Sequence, residues 1–297
     1  MRTLDELSEI VRRLERDIGP AVVGVGRRWS VGSGIVIGAD QIVTNAHNLS
    51  GDEPEIVFGD GRRSTGTVAG ADIDGDVAVV SVDTQDAPVL EWREDGDALS
   101  IGTPVFALAN PGGMGLRVSF GLVTGTQRSF RGPRGRRIGG SIEHTSPLLP
   151  GSSGGPIVDS NGKLLGINTN RLGEGFYLAI PADADLRERL KGMEKGEVAS
   201  RPRLGVGIAP SHVAARLRRA VGLPEVEGLL VRLVEDDSPA ARAGVSEGDL
   251  IVEAAGEPLA SADQLHDLLD RADAGTQLDL KLLRGTEERS VSVSFAS

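Results

Sequence analysis

The 297-residue sequence has no cysteine, and that alone excludes disulfide bridges and thiolate-ligated metals. It does not fix the compartment, because such a chain folds equally well in reducing or oxidising surroundings. Aromatic residues are scarce, at 3%, and no apolar run approaches the ~18 residues that cross a bilayer as a helix. Excess basic charge is missing too. The 43 acidic and 32 basic side chains leave a formal charge of -11, which argues against a general nucleic-acid-binding surface. No His, Asp or Glu cluster has metal-ligand spacing. Asp72, Asp74 and Asp76 surround Gly75, but the other ligands of a calcium loop are absent.

What is present is glycine and short β-branched runs. With 41 Gly, 15 Pro and 39% hydrophobic residues, the composition predicts a mainly β protein with many turns and a chain long enough for two domains. The first 20 residues differ. Leu4, Leu7, Val11 and Leu14 fall on one helical stripe among charged residues, Thr3 and Glu6 have capping-box spacing, and Gly19-Pro20 ends the pattern. This predicts an amphipathic helix of about four turns, not an export signal. The chain as written is therefore expected to be cytoplasmic, or exported if an upstream leader is missing.

The chemistry centres on Gly151-Ser152-Ser153-Gly154-Gly155-Pro156. A serine hydroxyl is a weak nucleophile that needs a neighbouring base and donors for the developing oxyanion. The glycines let the backbone turn so that the amides of Gly151 and Ser153 point into one concavity. A base is available in His47, at the end of the predicted strand Gln41 to Thr44. An acid to orient it is available in Asp76, which immediately precedes the apolar run Val77 to Val82. A carboxylate drawn inward at that position needs a hydrogen-bonded partner, and an imidazole N–H is suitable. Asp72 and Asp74 are expected to be solvated loop acids.

The order His47, Asp76, Ser153, with Gly32-Ser33-Gly34, Thr44-Asn45-Ala46-His47, Asn110-Pro111-Gly112 and Gly166-Ile167-Asn168-Thr169, resembles the HtrA/Deg branch of chymotrypsin-like serine peptidases. The resemblance implies a double six-stranded β-barrel over residues 21–190. In it Ser153 is the attacking group, His47 the general base and Asp76 the residue that holds the imidazole. It further implies a specificity pocket formed by Leu148, Asn168, Thr169 and Asn170. No acid matches the position that would select Lys or Arg, so cleavage after small or medium aliphatic residues is expected. The arginine-rich stretch Arg128 to Arg137 corresponds to the family's sensor loop, against the plainer reading of a solvated hairpin.

After a polar linker over 191–203, the stretch Asp237 to Ile251, with Gly256 and the terminal strands, resembles a bacterial PDZ domain over 204–297. That domain is α+β, and the resemblance makes Leu204, Gly205, Val206 and Gly207 the turn that offers amides to a peptide's terminal carboxylate. The peptide adds as a strand beside a helix capped by Ser261 and Gln264. The family implies unfolded protein substrates, C-terminal peptides as ligands, no cofactor, no metal and a homotrimer. Two departures stand out. Ser152 replaces the usual Asn, and Thr145-Ser146-Pro147-Leu148 replaces a Thr-Asp-Ala-Ala-like stretch, so Pro147 and Pro150 restrict the loop before the serine. Because of them, a catalytically silent peptide-binding protein is carried as the rival reading.

Overall fold

A computed structural model describes residues 2–26, 31–93, 99–132, 137–171, 173, 175–195, 202–272 and 276–295. These divide into two compact units, one within 2–195 and the other within 202–295.

The first unit opens with helix α1 (Arg2–Asp17). Its predicted stripe is inward-facing except at one end. Leu14 is fully buried and Leu7, Ile10 and Val11 pack on the same core, whereas Leu4 is exposed. The helix is thus part of the first unit's core and not a separate segment. It starts at Arg2, so Thr3 lies inside it instead of capping it.

Seven strands follow: β1 (Val22–Val25), β2 (Gly32–Gly38), β3 (Gln41–Thr44), β4 (Glu55–Val57), β5 (Arg63–Thr65), β6 (Thr67–Asp72) and β7 (Val77–Ser81). They form one antiparallel sheet in the order β5-β4-β1-β2-β3-β7-β6. The expected six-stranded barrel is thus corrected to a seven-stranded sheet whose two edge strands, β5 and β6, are one stretch of chain split at Gly66, and the amides of Gly66 and Val68 still reach the Pro54 and Asp52 carbonyls ahead of β4, each at 2.9 Å. The cause is Gly66. It interrupts a single stretch of strand, so that β5 pairs with β4 at one edge and β6 with β7 at the other. The Gly66 amide carries the β4–β5 register on to the Pro54 carbonyl at 2.9 Å, and a Cβ there would lie 2.5 Å from Val80. Since one residue joins the two edge strands, the sheet must curl until its edges nearly meet.

The second six strands are β8 (Pro104–Ala109), β9 (Arg117–Arg131), β10 (Arg137–His144), β11 (Pro156–Val158), β12 (Leu164–Arg171) and β13 (Tyr177–Pro181). They close into a barrel in the order β10-β13-β12-β11-β8-β9. Strand alternation sorts their side chains. Val105 and Ala107 of β8 fill the barrel with Ile142, Ile157 and Ala179, while Phe106 and Leu108 face the core shared with β1, β2 and β7. The nucleophile loop therefore runs from the end of β10 to β11, anchored at both ends in one barrel. Helix α2 (Ala184–Glu194) completes the unit, with Leu186, Leu190 and Met193 buried in the main core. This carries the first unit past the expected boundary at residue 190.

Asp72 and Asp74 are not solvated. Asp72 accepts the Gly75 amide at 2.7 Å and an Arg189 guanidinium N–H at 3.2 Å, and Asp74 is buried. β9 extends to Arg131 and β10 starts at Arg137, so strands flank the arginine-rich stretch as in the plainer hairpin reading, and Arg128 pairs with Glu143 at 3.3 Å. Residues 133–136 of the expected sensor loop lie outside the described residues.

In the second unit, β14 (Val206–Ala209), α3 (Ser211–Ala220), β15 (Leu229–Val234), α4 (Pro239–Arg242), β16 (Leu250–Ala254), β17 (Glu257–Pro258), α5 (Ala262–Arg271), β18 (Gln277–Arg284) and β19 (Glu287–Ser294) build an α+β domain. The sheet runs β14-β15-β16-β18-β19, with β17 on β16. The core is its own, formed by Leu229, Ile251, Leu280 and Val293 with Leu265 and Leu269 of α5. Leu268 packs against it, so all three α5 leucines serve packing. The Ser261–Gln264 capping box forms as expected.

Candidate active site

His47 stands in a 3-10 turn, Ala46–Asn48, directly after β3, and Asp76 directly before β7. β3 and β7 are hydrogen-bonded neighbours, with Thr44 opposite Ala78, so the pairing brings the two side chains together. His47 Nδ1 lies 2.9 Å from each carboxylate oxygen of Asp76, and the His47 amide donates to Oδ1 at 3.1 Å. The carboxylate is buried, yet it also receives the Thr169 hydroxyl on Oδ2 at 2.6 Å. Charge-assisted bonds of this kind offset the loss of hydration of a buried anion. Asp76 sits at φ +53°, a left-handed conformation that costs a non-glycine residue about 1 kcal/mol or more. The Asn45 amide holds it there by donating to the Asp76 carbonyl at 2.8 Å.

Ser153 is attached to the same cluster through its backbone. Its carbonyl accepts the Ser33 amide at 2.8 Å and the Asn48 side-chain amide at 2.9 Å, and Asn48 is the neighbour of His47. Its hydroxyl donates to the Thr169 carbonyl at 3.1 Å, and among the described residues no hydrogen bond joins it to His47. Thr169 thus touches two members of the cluster, its hydroxyl on Asp76 and its carbonyl under Ser153.

The loop glycines are needed for close approach. Gly154, at φ +87°, would place a Cβ 2.0 Å from the Ser33 carbonyl oxygen, and Gly151, at φ +84°, would place one 2.7 Å from Pro111. Ser33 braces this loop. Its hydroxyl donates to the Gly151 carbonyl at 2.9 Å and accepts the Asn110 amide at 3.0 Å. Among the described residues the amides of Gly151 and Ser153 donate to no acceptor, which leaves two N–H groups for an incoming oxygen.

The four pocket residues occupy different settings. Leu148 is half-buried against the second barrel's interior and Asn170 is exposed. Asn168 is fully buried. Its side-chain amide donates to the carbonyls of Gly155 and Pro156 at 3.0 and 3.2 Å, so it holds the loop together. Thr169 is buried on Asp76. Ser33, Asn48 and the hydroxyl role of Thr169 escaped sequence reasoning. Ser33 had a signal in the paired glycines around it, since Gly32 and Gly34 let other groups approach closely.

In the second unit, Leu204 and Gly205 are fixed by their carbonyls, which accept the amides of Ala240 at 3.0 Å and Glu235 at 2.8 Å. Gly205 has φ +73°, and a Cβ there would lie 2.3 Å from that of Ser238. Val206 and Gly207 begin β14, which terminates its sheet and, among the described residues, has one edge without a partner strand.

A sheet curled beside a closed barrel, with histidine, aspartate and serine on adjoining loops, followed by a separate α+β unit, defines the class of a trypsin-like protease fold joined to a second, smaller domain. A model of the trypsin-like peptidase domain matches residues 32–167 and a model of the PDZ domain matches 202–295. A probable periplasmic serine endoprotease, DegP-like, from Halomonas elongata is 36% identical over 90% of this chain and 56% of its own length. The putative serine protease HhoA from a Synechocystis species is 32% identical over 89% of this chain and 70% of its own. Among solved structures, the serine endoprotease from Yersinia pestis superposes with a TM-score of 0.62 at 27% identity, covering 95% of this chain and 96% of that one. The HtrA-type protease AlgW with a tripeptide gives 0.59 at 27%, covering 96% of each. The chain belongs to the HtrA/DegP family of trypsin-like serine proteases with a C-terminal PDZ domain. It spans little more than half the length of the DegP-like relatives. No helix among the described residues is long and apolar enough to cross a membrane.

Proposed function

We propose that this protein is a serine endopeptidase that hydrolyses unfolded polypeptides through His47, Asp76 and Ser153, with C-terminal peptides binding its PDZ domain. The observation that supports it most is the 2.9 Å contact of His47 Nδ1 with Asp76, made in the turn whose Asn48 also grips the Ser153 carbonyl. With Nδ1–H held by the carboxylate, Nε2 is the ring's acceptor, as a general base requires.

The Ser153 hydroxyl rotates from the Thr169 carbonyl to His47 Nε2 and gives up its proton as Oγ attacks the scissile carbonyl. The resulting oxyanion takes the amides of Gly151 and Ser153. The imidazolium, stabilised by Asp76, then protonates the leaving amine, and water repeats the cycle on the acyl-enzyme. Asp76 keeps its charge throughout. Leu148 and Asn170 border the pocket for a small or medium aliphatic residue. Leu204 to Gly207 receive a peptide carboxylate, and the peptide extends along the free edge of β14.

The bond from Ser153 to Thr169 favours a second reading, in which the protein binds peptides and the serine stays parked. A fluorophosphonate probe, applied with and without a PDZ-binding peptide, separates the two. Labelling and casein-like cleavage, both lost in Ser153→Ala with peptide binding intact, are expected. No labelling in either state would establish the silent protein.

A further inference from the structure

We propose that His144 is a positioning residue for the hydrolysis proposed above, a neutral imidazole that clamps both ends of the loop carrying Gly151 and Ser153. The inference rests on that catalytic reading. His144 ends β10 and is fully buried, where an aliphatic side chain would satisfy packing alone. Instead each ring nitrogen is engaged by a different segment. The Ser146 amide donates to Nδ1 at 3.2 Å, so this nitrogen must be the acceptor. Nε2 lies 3.0 Å from Asn168 Oδ1. The other half of that carboxamide is the donor to Gly155 and Pro156, which leaves Oδ1 to accept the Nε2–H. The tautomer is thus fixed by its partners.

Both contacts bear on the nucleophile loop. Ser146 is its first turn, and its hydroxyl is further tied to that of Ser119 on β9 at 2.9 Å. Asn168 governs its far end, because its backbone carbonyl accepts the Gly154 amide at 2.8 Å and its amide donates to Gly155 at 2.9 Å. The ring thus links the two ends of the loop that carries Leu148 and the two amides, while Ser33 and Asn48 hold its middle. A shift of these amides misplaces the oxyanion donors, where small displacements are costly to rate.

The clamp works only while the ring is neutral. Protonation would turn Nδ1 from acceptor to donor and set it against the Ser146 N–H. Burial prevents this by pushing the His144 pKa down from 6.5 to about 4, with the Asn168 bond opposing in part. Tyr177 of β13 stacks on the ring at 5.9 Å, with Arg171 of β12 over its face. Glu143, the neighbour on β10, is turned to Thr124 and Arg128 of β9, and among the described residues the ring's hydrogen-bond partners, Ser146 and Asn168, are both neutral. Since the folded value lies below the unfolded one, the unfolded chain takes up more protons between them. The contribution is complete above about pH 6.5 and is lost as pH falls towards 4.

The test compares the full chain with His144→Phe, which keeps the ring shape and loses both bonds, and His144→Gln, which can accept and donate. Steady-state cleavage of an unfolded substrate should show kcat reduced about tenfold or more in His144→Phe with KM little changed, and restored to within about threefold in His144→Gln. The acid loss of melting temperature between pH 6.5 and 4 should be smaller in His144→Gln than in the wild type. Wild-type kcat in a folded His144→Phe, or equal impairment in both variants, would overturn the clamp while leaving the peptidase reading intact. A wild type that neither cleaves nor takes up fluorophosphonate would remove both. Should His144→Phe not fold, 15N chemical shifts of His144 in the wild type decide: a neutral ring with a protonated Nε2 at pH 6 is required, and a charged ring refutes the clamp.

Discussion

Thr169 shows how one residue can serve two members of a site. Its hydroxyl is the shortest contact on the Asp76 carboxylate, and its carbonyl receives the Ser153 hydroxyl. A hydrogen bond to a charged group contributes about 1.5–3 kcal/mol. Thr169→Val removes the first contact while preserving shape and backbone, so kcat for an unfolded substrate should fall roughly tenfold, whereas Thr169→Ser should stay near wild type. Unchanged kcat in the valine variant would mean that Asp76 needs no second donor. The pairing of His47 with Asp76 was legible because an acid at the mouth of an apolar strand requires a partner. The engagement of Ser153 was not, because a hydroxyl rotamer depends on which carbonyl a distant strand presents, and β12 is contributed from beyond the loop itself. The pairing of the half-buried Asp72 was equally hidden, since Arg189 lies more than a hundred residues away in sequence.

At the level of elements, period and punctuation served well where segments were strongly patterned. The strands around His47 and Asp76 and helix α1 all follow from apolar spacing and Gly or Pro limits. Helix α3 leaves little trace in the sequence, because its buried residues are Ala214 and Arg218, an arginine whose guanidinium donates to the Pro224 and Gly285 carbonyls. Strand β10 went unassigned because Gly139 and Gly140 interrupt it. Helix α1 is the element whose status changes most, from an appendage to a contributor of core. Leu14→Ala should therefore destabilise the first unit by about 2–5 kcal/mol, read as a lower melting temperature of that unit. An unchanged melting temperature would return α1 to the role of a detachable segment.

On the scale of the whole molecule, the two units have separate cores, with Val22, Ile35, Phe106 and Ile167 in one and Leu229, Ile251, Leu280 and Val293 in the other. Units with separate cores unfold as separate cooperative events. Calorimetry should resolve two transitions, and Leu280→Ala should lower only one of them while fluorophosphonate labelling below that transition is retained. A single transition shifted as a whole would show that the units melt as one. The two-domain division was readable from the polar linker and the change of motif. The architecture of the first sheet was not, because the break at Gly66 leaves no mark in hydrophobic pattern.

That break has a topological consequence. Where the second barrel is sealed by a ladder alone, the first sheet is fastened at its rim twice over, by the polypeptide through Gly66 and by the Gly66 and Val68 amides on the Pro54 and Asp52 carbonyls. Neither rim strand can slide in register without dragging the other, and a nick at that glycine would leave the seam latched by the Val68 amide on the Asp52 carbonyl.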